Sequence, residues 1–200
     1  MELLVVAASS RGCIGVDLAS GALLRGVFAE RCPEPFEAYD VVSTEPVDDD
    51  QVAFTADTVL LTSPQRVGQL SGRRVEKLLR PLVHPKNEHL LGVAAASVPY
   101  WTVRADRPSL ALLHPTSGPV VERDPAHRLQ CRFRWRRLDY TLPLDDPGVE
   151  EALSHPAVRR VGGSTLNRAL GWKPRWLLVG LTPPRAGQCH KVVAALLPRP

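Results

Sequence analysis

The chain has 200 residues, 44% hydrophobic and 23% charged, with 25 Lys and Arg against 21 Asp and Glu and a formal net charge of +4. That length allows one compact domain or two small ones, and the apolar share excludes a disordered polyelectrolyte. No apolar run approaches the ~20 residues of a membrane span, and the start lacks the basic region of a secretory leader, so a soluble protein with no membrane partner is expected.

Nineteen prolines, about twice the usual share of ~5%, break long helices and favour short strands joined by tight turns. Short apolar runs cover residues 3 to 8, 13 to 18 and 22 to 28, the last after the turn signal Ser20-Gly21. They continue over residues 39 to 44 and 52 to 61, and together predict an all-β unit over residues 1–63. From residue 63 to 91, Val67, Leu70, Val75, Leu78, Leu79 and Leu82 recur every three or four positions. That spacing predicts one or two amphipathic helices, stopped near Pro81 and Pro85, with Arg73, Arg74, Lys77 and Arg80 on a solvated face. Residues 94 to 104, with Tyr100 and Trp101, read as either loop or strand. Residues 64–108 therefore stand as a helical connecting segment.

A second β unit is predicted over residues 109–200, with candidate strands at 110 to 113, 120 to 122, 129 to 137 and 139 to 144. The run from residue 128 to 137, Arg-Leu-Gln-Cys-Arg-Phe-Arg-Trp-Arg-Arg, is the most informative stretch of the chain. On a strand, side chains alternate between faces, which puts Gln130, Arg132, Arg134 and Arg136 on one side. Leu129, Cys131, Phe133 and Trp135 fall on the other. Trp135 is expected to pack in the core beside Phe133, and Tyr140, of opposite parity, on a different face. Asp146-Pro147 predicts a helix start, with aspartate as the cap and proline in the first turn. Residues 155–175 read as an exposed basic insertion, and residues 176 to 181 and 189 to 197 as buried closing strands.

From Ala152 to Pro200 there are eight basic residues and no acidic ones, an asymmetry that suits anion binding. Arginine outnumbers lysine heavily, which a GC-rich genome also produces. Cys13, Cys131 and Cys189 lie in apolar strand segments and, with Cys32, form no CxxC pair. Buried, unbridged thiols in a reducing cytoplasm are expected. The histidines and cysteines lack zinc-ligand spacing, so no metal is assigned. Asp48-Asp49-Asp50 reads as a solvated loop before a magnesium site. Gly162-Gly163-Ser164-Thr165 lacks the Gly-Lys-Ser/Thr ending of a phosphate loop, and no serine sits in a nucleophile elbow. No catalytic residue and no cofactor are assigned, and the chain is not expected to be an enzyme.

Three segments together resemble the dual OB-containing domain, a prokaryotic family of mostly uncharacterised proteins. Ser10-Arg11-Gly12-Cys13-Ile14-Gly15-Val16-Asp17 followed by Gly21-Ala22-Leu23-Leu24-Arg25 is similar to that family's opening. Arg132-Phe133-Arg134-Trp135, Tyr140-Thr141-Leu142 and Asp146-Pro147 resemble its middle stretch. Leu178-Val179-Gly180-Leu181 and Gly187-Gln188-Cys189-His190-Lys191-Val192-Val193-Ala194-Ala195 resemble its close. The segments occur in the family's order, with weaker support between residues 45 and 108. Asp145, Gly180 and His190 stand where the family tends to have threonine, serine and tyrosine. The resemblance implies two small OB-type barrels joined by a helical middle, an α+β arrangement that is mainly β. It also implies nucleic-acid or nucleotide binding, and it brings no catalytic role.

The expectation is a protein that binds single-stranded RNA or DNA through a basic sheet face. Arg132, Arg134 and Arg136 contact phosphates, helped by Arg159, Arg160, Arg168 and Lys173, and exposed aromatics stack on bases. Two alternatives stand beside it. One is a nucleotide or small-ligand sensor with a pocket between the barrels, lined by Arg25, Tyr140 and Lys191. The other is a protein-interaction module of a defence or stress system.

Overall fold

The structure, a computed structural model, describes residues 1–32, 36–47, 55–85, 89–103, 108–155 and 159–200. The Asp48-Asp49-Asp50 run lies outside the described residues. The chain is mainly β and divides into two compact units. The first takes Met1–Val83 and Trp101–Leu110, and the second His84–Tyr100 and Ala111–Arg199. Residues 64–108 thus contribute to both.

In the first unit, β1 (Glu2–Ser9), β2 (Gly12–Asp17), β3 (Leu23–Phe28), β4 (Asp40–Val47) and β5 (Thr58–Gln69) close into a barrel in the order β1-β2-β3-β5-β4. Closure is made by β4 pairing back onto β1, with Glu2 opposite Ser43. The β3–β5 pair is parallel, from Arg25–Thr58 to Phe28–Leu61. Leu3, Val5, Cys13, Phe28, Val42 and Leu61 fill the interior, as side chains must in so small a barrel. Gly12 is required here, because a Cβ would collide with the backbone carbonyl oxygen of Gly26 on the neighbouring β3.

The helical reading of residues 63 to 91 is correct only in part. β5 runs on to Gln69, opposite Asp40 of β4, so Val67 is an exposed strand residue and Leu70 follows the strand. Pairing with β4, reinforced by a 2.9 Å ion pair between Arg66 and buried Asp40, overrides the helical spacing. The helix itself, α1 (Arg73–Leu79), buries Val75 and Leu79 and leaves Arg73, Arg74 and Lys77 exposed. Pro81 then sits in a 3₁₀ turn over Arg80–Leu82. Ser109 anchors its segment to the first unit by donating from N–H and Oγ to the Asp57 carboxylate at 2.7 and 2.6 Å.

The second unit holds β6 (Ser97–Pro99), β7 (Leu110–Leu113), β8 (Val120–Arg123), β9 (Leu129–Trp135), β10 (Leu138–Pro143) and α2 (Pro147–Ala152). It continues with β11 (Arg160–Gly162), α3 (Gly163–Leu170), β12 (Trp176–Leu181) and β13 (Gln188–Leu197). One sheet runs β10-β9-β8-β11 and the other β6-β13-β12-β7. They meet where Leu144, just past β10, bridges Val193 of β13 in parallel. Around this curled half-barrel the order β8-β9-β10-β13-β12 repeats the 1-2-3-5-4 order of the first unit. The place of β1 is shared by β7, beside β12, and β8, beside β9.

Asp146 caps α2 as expected, its Oδ1 accepting the Val149 N–H at 3.1 Å with Pro147 in the first turn. The segment 155–175 is exposed along most of its described length, as expected, and it also carries regular structure. Among its described residues are a strand, β11, and a helix, α3, which buries Leu166 in an otherwise polar sequence. All four cysteines are free thiols; Cys13, Cys131 and Cys189 are buried.

Candidate functional site

β9 follows the expected alternation. Leu129, Cys131, Phe133 and Trp135 are buried, Arg132 and Arg134 are exposed, and Gln130 is half-buried. Register places Arg132 opposite Val120 and Thr141, Arg134 opposite Asp139, and Gln130 opposite Glu122 and Pro143. Glu122 in turn faces Arg160 of β11. Three guanidinium groups therefore share one outer face with two carboxylates. Arg132 Nη1 lies 3.9 Å and Arg160 Nε 3.6 Å from the same Glu122 Oε2, and Arg134 Nε lies 3.9 Å from Asp139 Oδ1. Such long, solvated pairs are worth ~0–1 kcal/mol each and leave the guanidinium donors open to an anion.

Arg136 does not belong to this row. The β9–β10 hairpin turns through Arg136 and Arg137, and Arg136 takes a φ of 61°, as a tight two-residue hairpin loop demands of its first position. Its guanidinium lies 5.5 Å from the Trp135 ring centroid in a cation–π contact. Arg159 precedes β11, Arg168 lies in the last turn of α3, and Lys173 follows that helix, all three exposed. Of the seven predicted basic residues, the sheet register brings together Arg132, Arg134 and Arg160.

On the inner side, Phe133 and Tyr140 stack at 5.4 Å, Trp135 tilts against Tyr140 at 6.3 Å, and His84 stacks on Trp135 at 5.4 Å. Tyr140 therefore shares the face of Phe133 and Trp135, contrary to the parity argument. In an antiparallel pair the register, with Tyr140 opposite Phe133, decides which residues share a face. Burial raises the Tyr140 hydroxyl above its ordinary value. Neither Tyr140 nor Trp135 is offered to a base on the outer face. Lys191 is 2% exposed, donates from Nζ to the Val93 carbonyl, and is pushed by burial down to about 8. Arg25 belongs to β3 of the first unit, half-buried. Exposed aromatic surface lies instead at Tyr100 and Trp101 in a 3₁₀ turn.

The outer face of β9 leads into a cleft of about 530 Å³ within the second unit. Its floor is Leu129 and Gln130 of β9 with Pro143 and Leu144. One wall is the β8–β9 loop, with Asp124, His127 and Arg128; the other is the β12–β13 connection, with Thr182 and Arg185, and His190 at the start of β13. Asp145 and Glu150 close the end beside α2. Both walls are fixed by hydrogen bonds. Asp124 accepts the Arg128 N–H at 2.9 Å and its Nε at 3.0 Å, with Nη2 also at 2.9 Å. These donors, the backbone N–H foremost, hold the Asp124 carboxyl below its ordinary value. Across the cleft, His190 N–H donates to Thr182 Oγ1 at 3.1 Å, and Arg185 pairs with Gln188 in a tight turn. Asp146 points the other way, accepting from Leu196 N–H at 2.9 Å; burial raises its carboxyl above the usual range.

Arg25, Tyr140 and Lys191 do not line this cleft. Sequence reasoning missed His127, Arg128, Arg185 and His190. The only signals were loop composition, Asp124-Pro125 and Pro183-Pro184, because two loops 60 residues apart meet only through closure at Leu144–Val193. Among the described residues no three His, Cys, Asp or Glu side chains converge as a metal site requires, and no helix is long and apolar enough to cross a membrane. No family model, no curated protein and no solved structure matches the chain.

Proposed function

We propose that this protein binds single-stranded nucleic acid across the outer face of β9 and β10. The sugar-phosphate backbone lies along Arg132, Arg134 and Arg160, and one nucleotide unit enters the adjoining cleft. The observation that carries the reading is the position of the cleft, floored by β9 and the end of β10 and walled by the β8–β9 and β12–β13 loops. In OB-type barrels the face of strands 2 and 3, with the loops joining strands 1 to 2 and 4 to 5, is where oligonucleotides and oligosaccharides bind. The 1-2-3-5-4 strand order with its parallel 3–5 junction supports reading both units as OB-type, the second opened to a half-barrel. The cationic excess of the outer face selects nucleic acid over neutral sugar. Four free cysteines suit a reducing cytoplasm.

The test is fluorescence anisotropy with labelled 12-nucleotide RNA and DNA at salt from about 25 to 200 mM. Binding is expected to weaken with salt at a logarithmic slope of about 2, from three phosphate contacts at ~0.7 each. Absence of binding at the lowest salt would remove this reading in favour of a protein-interaction module.

A further inference from the structure

Resting on that reading, we propose that the cleft beside Gln130 selects guanine from the bound strand and disfavours uracil. Its volume of about 530 Å³ falls within the ~300–1,000 Å³ range of small-ligand pockets, so it has room for one nucleotide unit. The lining divides into groups already engaged and groups left to a ligand. Arg128 is committed to Asp124 through Nε and Nη2, and Thr182 Oγ1 to the His190 N–H. Among the described residues the Asp145 and Glu150 carboxylates have no hydrogen bond or ion pair, and Arg185 supplies the remaining guanidinium.

Single-stranded bases are read on their Watson–Crick edges. Guanine presents one acceptor, O6, followed by two adjacent donors, N1–H and N2–H. A carboxylate accepts the two donors as it accepts a guanidinium fork, and Arg185 or the Gln130 amide donates to O6. Uracil presents two carbonyls flanking one N–H, so a carboxylate facing that edge meets at least one lone pair. Adenine and cytosine each offer one amino group and fall between. A bidentate base contact of this kind discriminates by roughly tenfold.

The experiment measures the affinity of the full chain for (UG)6, (UA)6, (UC)6 and U12 RNA at fixed salt, for the parent and for a D145N/E150Q variant. Both substituted side chains are exposed, so the variant folds. The proposal expects (UG)6 to bind roughly tenfold tighter than U12 in the parent, and that ratio to fall to about one in the variant. Removing two negative charges adds the same long-range electrostatic gain for all four oligonucleotides, so the ratio is the readout. Equal parental affinities, or a ratio the variant leaves unchanged, overturn the base-selecting cleft while leaving strand binding in place. Failure of all four RNAs to bind overturns the base-selecting cleft, and failure of the single-stranded DNA as well overturns strand binding.

Discussion

Arg132 and Glu122 stand on adjacent strands with Arg132 Nη1 3.9 Å from Glu122 Oε2, and that same oxygen lies 3.6 Å from Arg160 Nε. One carboxylate, half-buried, thus sits between two guanidinium groups that would otherwise repel across the sheet. It lowers the charge of the face a polyanion would use. An E122Q variant is expected to bind single strands about two- to fivefold more tightly. Its unfolding free energy should change by no more than about 1 kcal/mol, since exposed pairs contribute little. Anisotropy and urea unfolding check the two halves separately, and weaker binding by a stable E122Q protein would mean the face is not the contact surface.

The arginines on the strand and the arginine in the turn are expected to behave differently. R132A/R134A should reduce the salt slope of binding by about 1.4, two contacts at ~0.7 each, with little change in stability. R136A should leave the slope unchanged and lower stability by about 0.5–1 kcal/mol, because the Arg136 guanidinium lies over the Trp135 ring, 5.5 Å from its centroid. A slope that responds equally to both variants would contradict this division.

Local pattern carried far in this chain where one strand buries one face. The period-two alternation from Leu129 to Trp135 is fully legible because the core demands apolar groups on that side alone. It failed one residue later, at Arg136, where composition gives no sign that the hairpin turns. The helix cap at Asp146 was also readable, since its partners lie within three residues. The strand extension through Val67 was not, because it depends on Asp40 and Arg66, which are 26 positions apart. The cleft was least legible of all. Asp124 and Arg185 meet there through barrel topology, and no local periodicity encodes that.

Asp146 joins two elements by accepting from Val149 N–H at 3.1 Å and from Leu196 N–H at 2.9 Å. D146A removes the cap of α2 and strands the N–H of a buried β13 residue. The expected loss is about 2–4 kcal/mol, a cap worth ~1 and an unsatisfied buried donor worth ~1–3. D146N keeps one acceptor oxygen and should lose roughly half as much. Urea denaturation of both variants decides the matter, and equal losses would show that the carboxylate charge, not its acceptor geometry, holds the junction.

Lys191 supplies a pH-dependent prediction whose sign follows from its burial. Its folded value, about 8, lies below the 10.5 of an exposed lysine. Between those values the unfolded chain holds a proton that the folded chain has released, so stability from this group rises with pH across that window. Below about 8 both states are charged, and the full cost of burying the ammonium is present, ~3 kcal/mol for a shift of this size. Other buried groups oppose it at higher pH, the Tyr39 and Tyr140 hydroxyls, both raised by burial, among them. Burial pushes the Cys13 and Cys131 thiols up to about 12 from 9.0, so their contribution declines above about pH 9. Comparing the parent with K191M cancels those effects. Methionine removes the buried charge and leaves the Val93 carbonyl without its donor, a loss of about 1 kcal/mol. K191M is therefore expected to be about 1–2 kcal/mol more stable than the parent at pH 7. That advantage should shrink by about 2 kcal/mol by pH 10, as the parent's lysine loses its proton. Unfolding free energies at both pH values test this, and a difference that does not vary with pH would mean that Lys191 titrates as an ordinary exposed lysine.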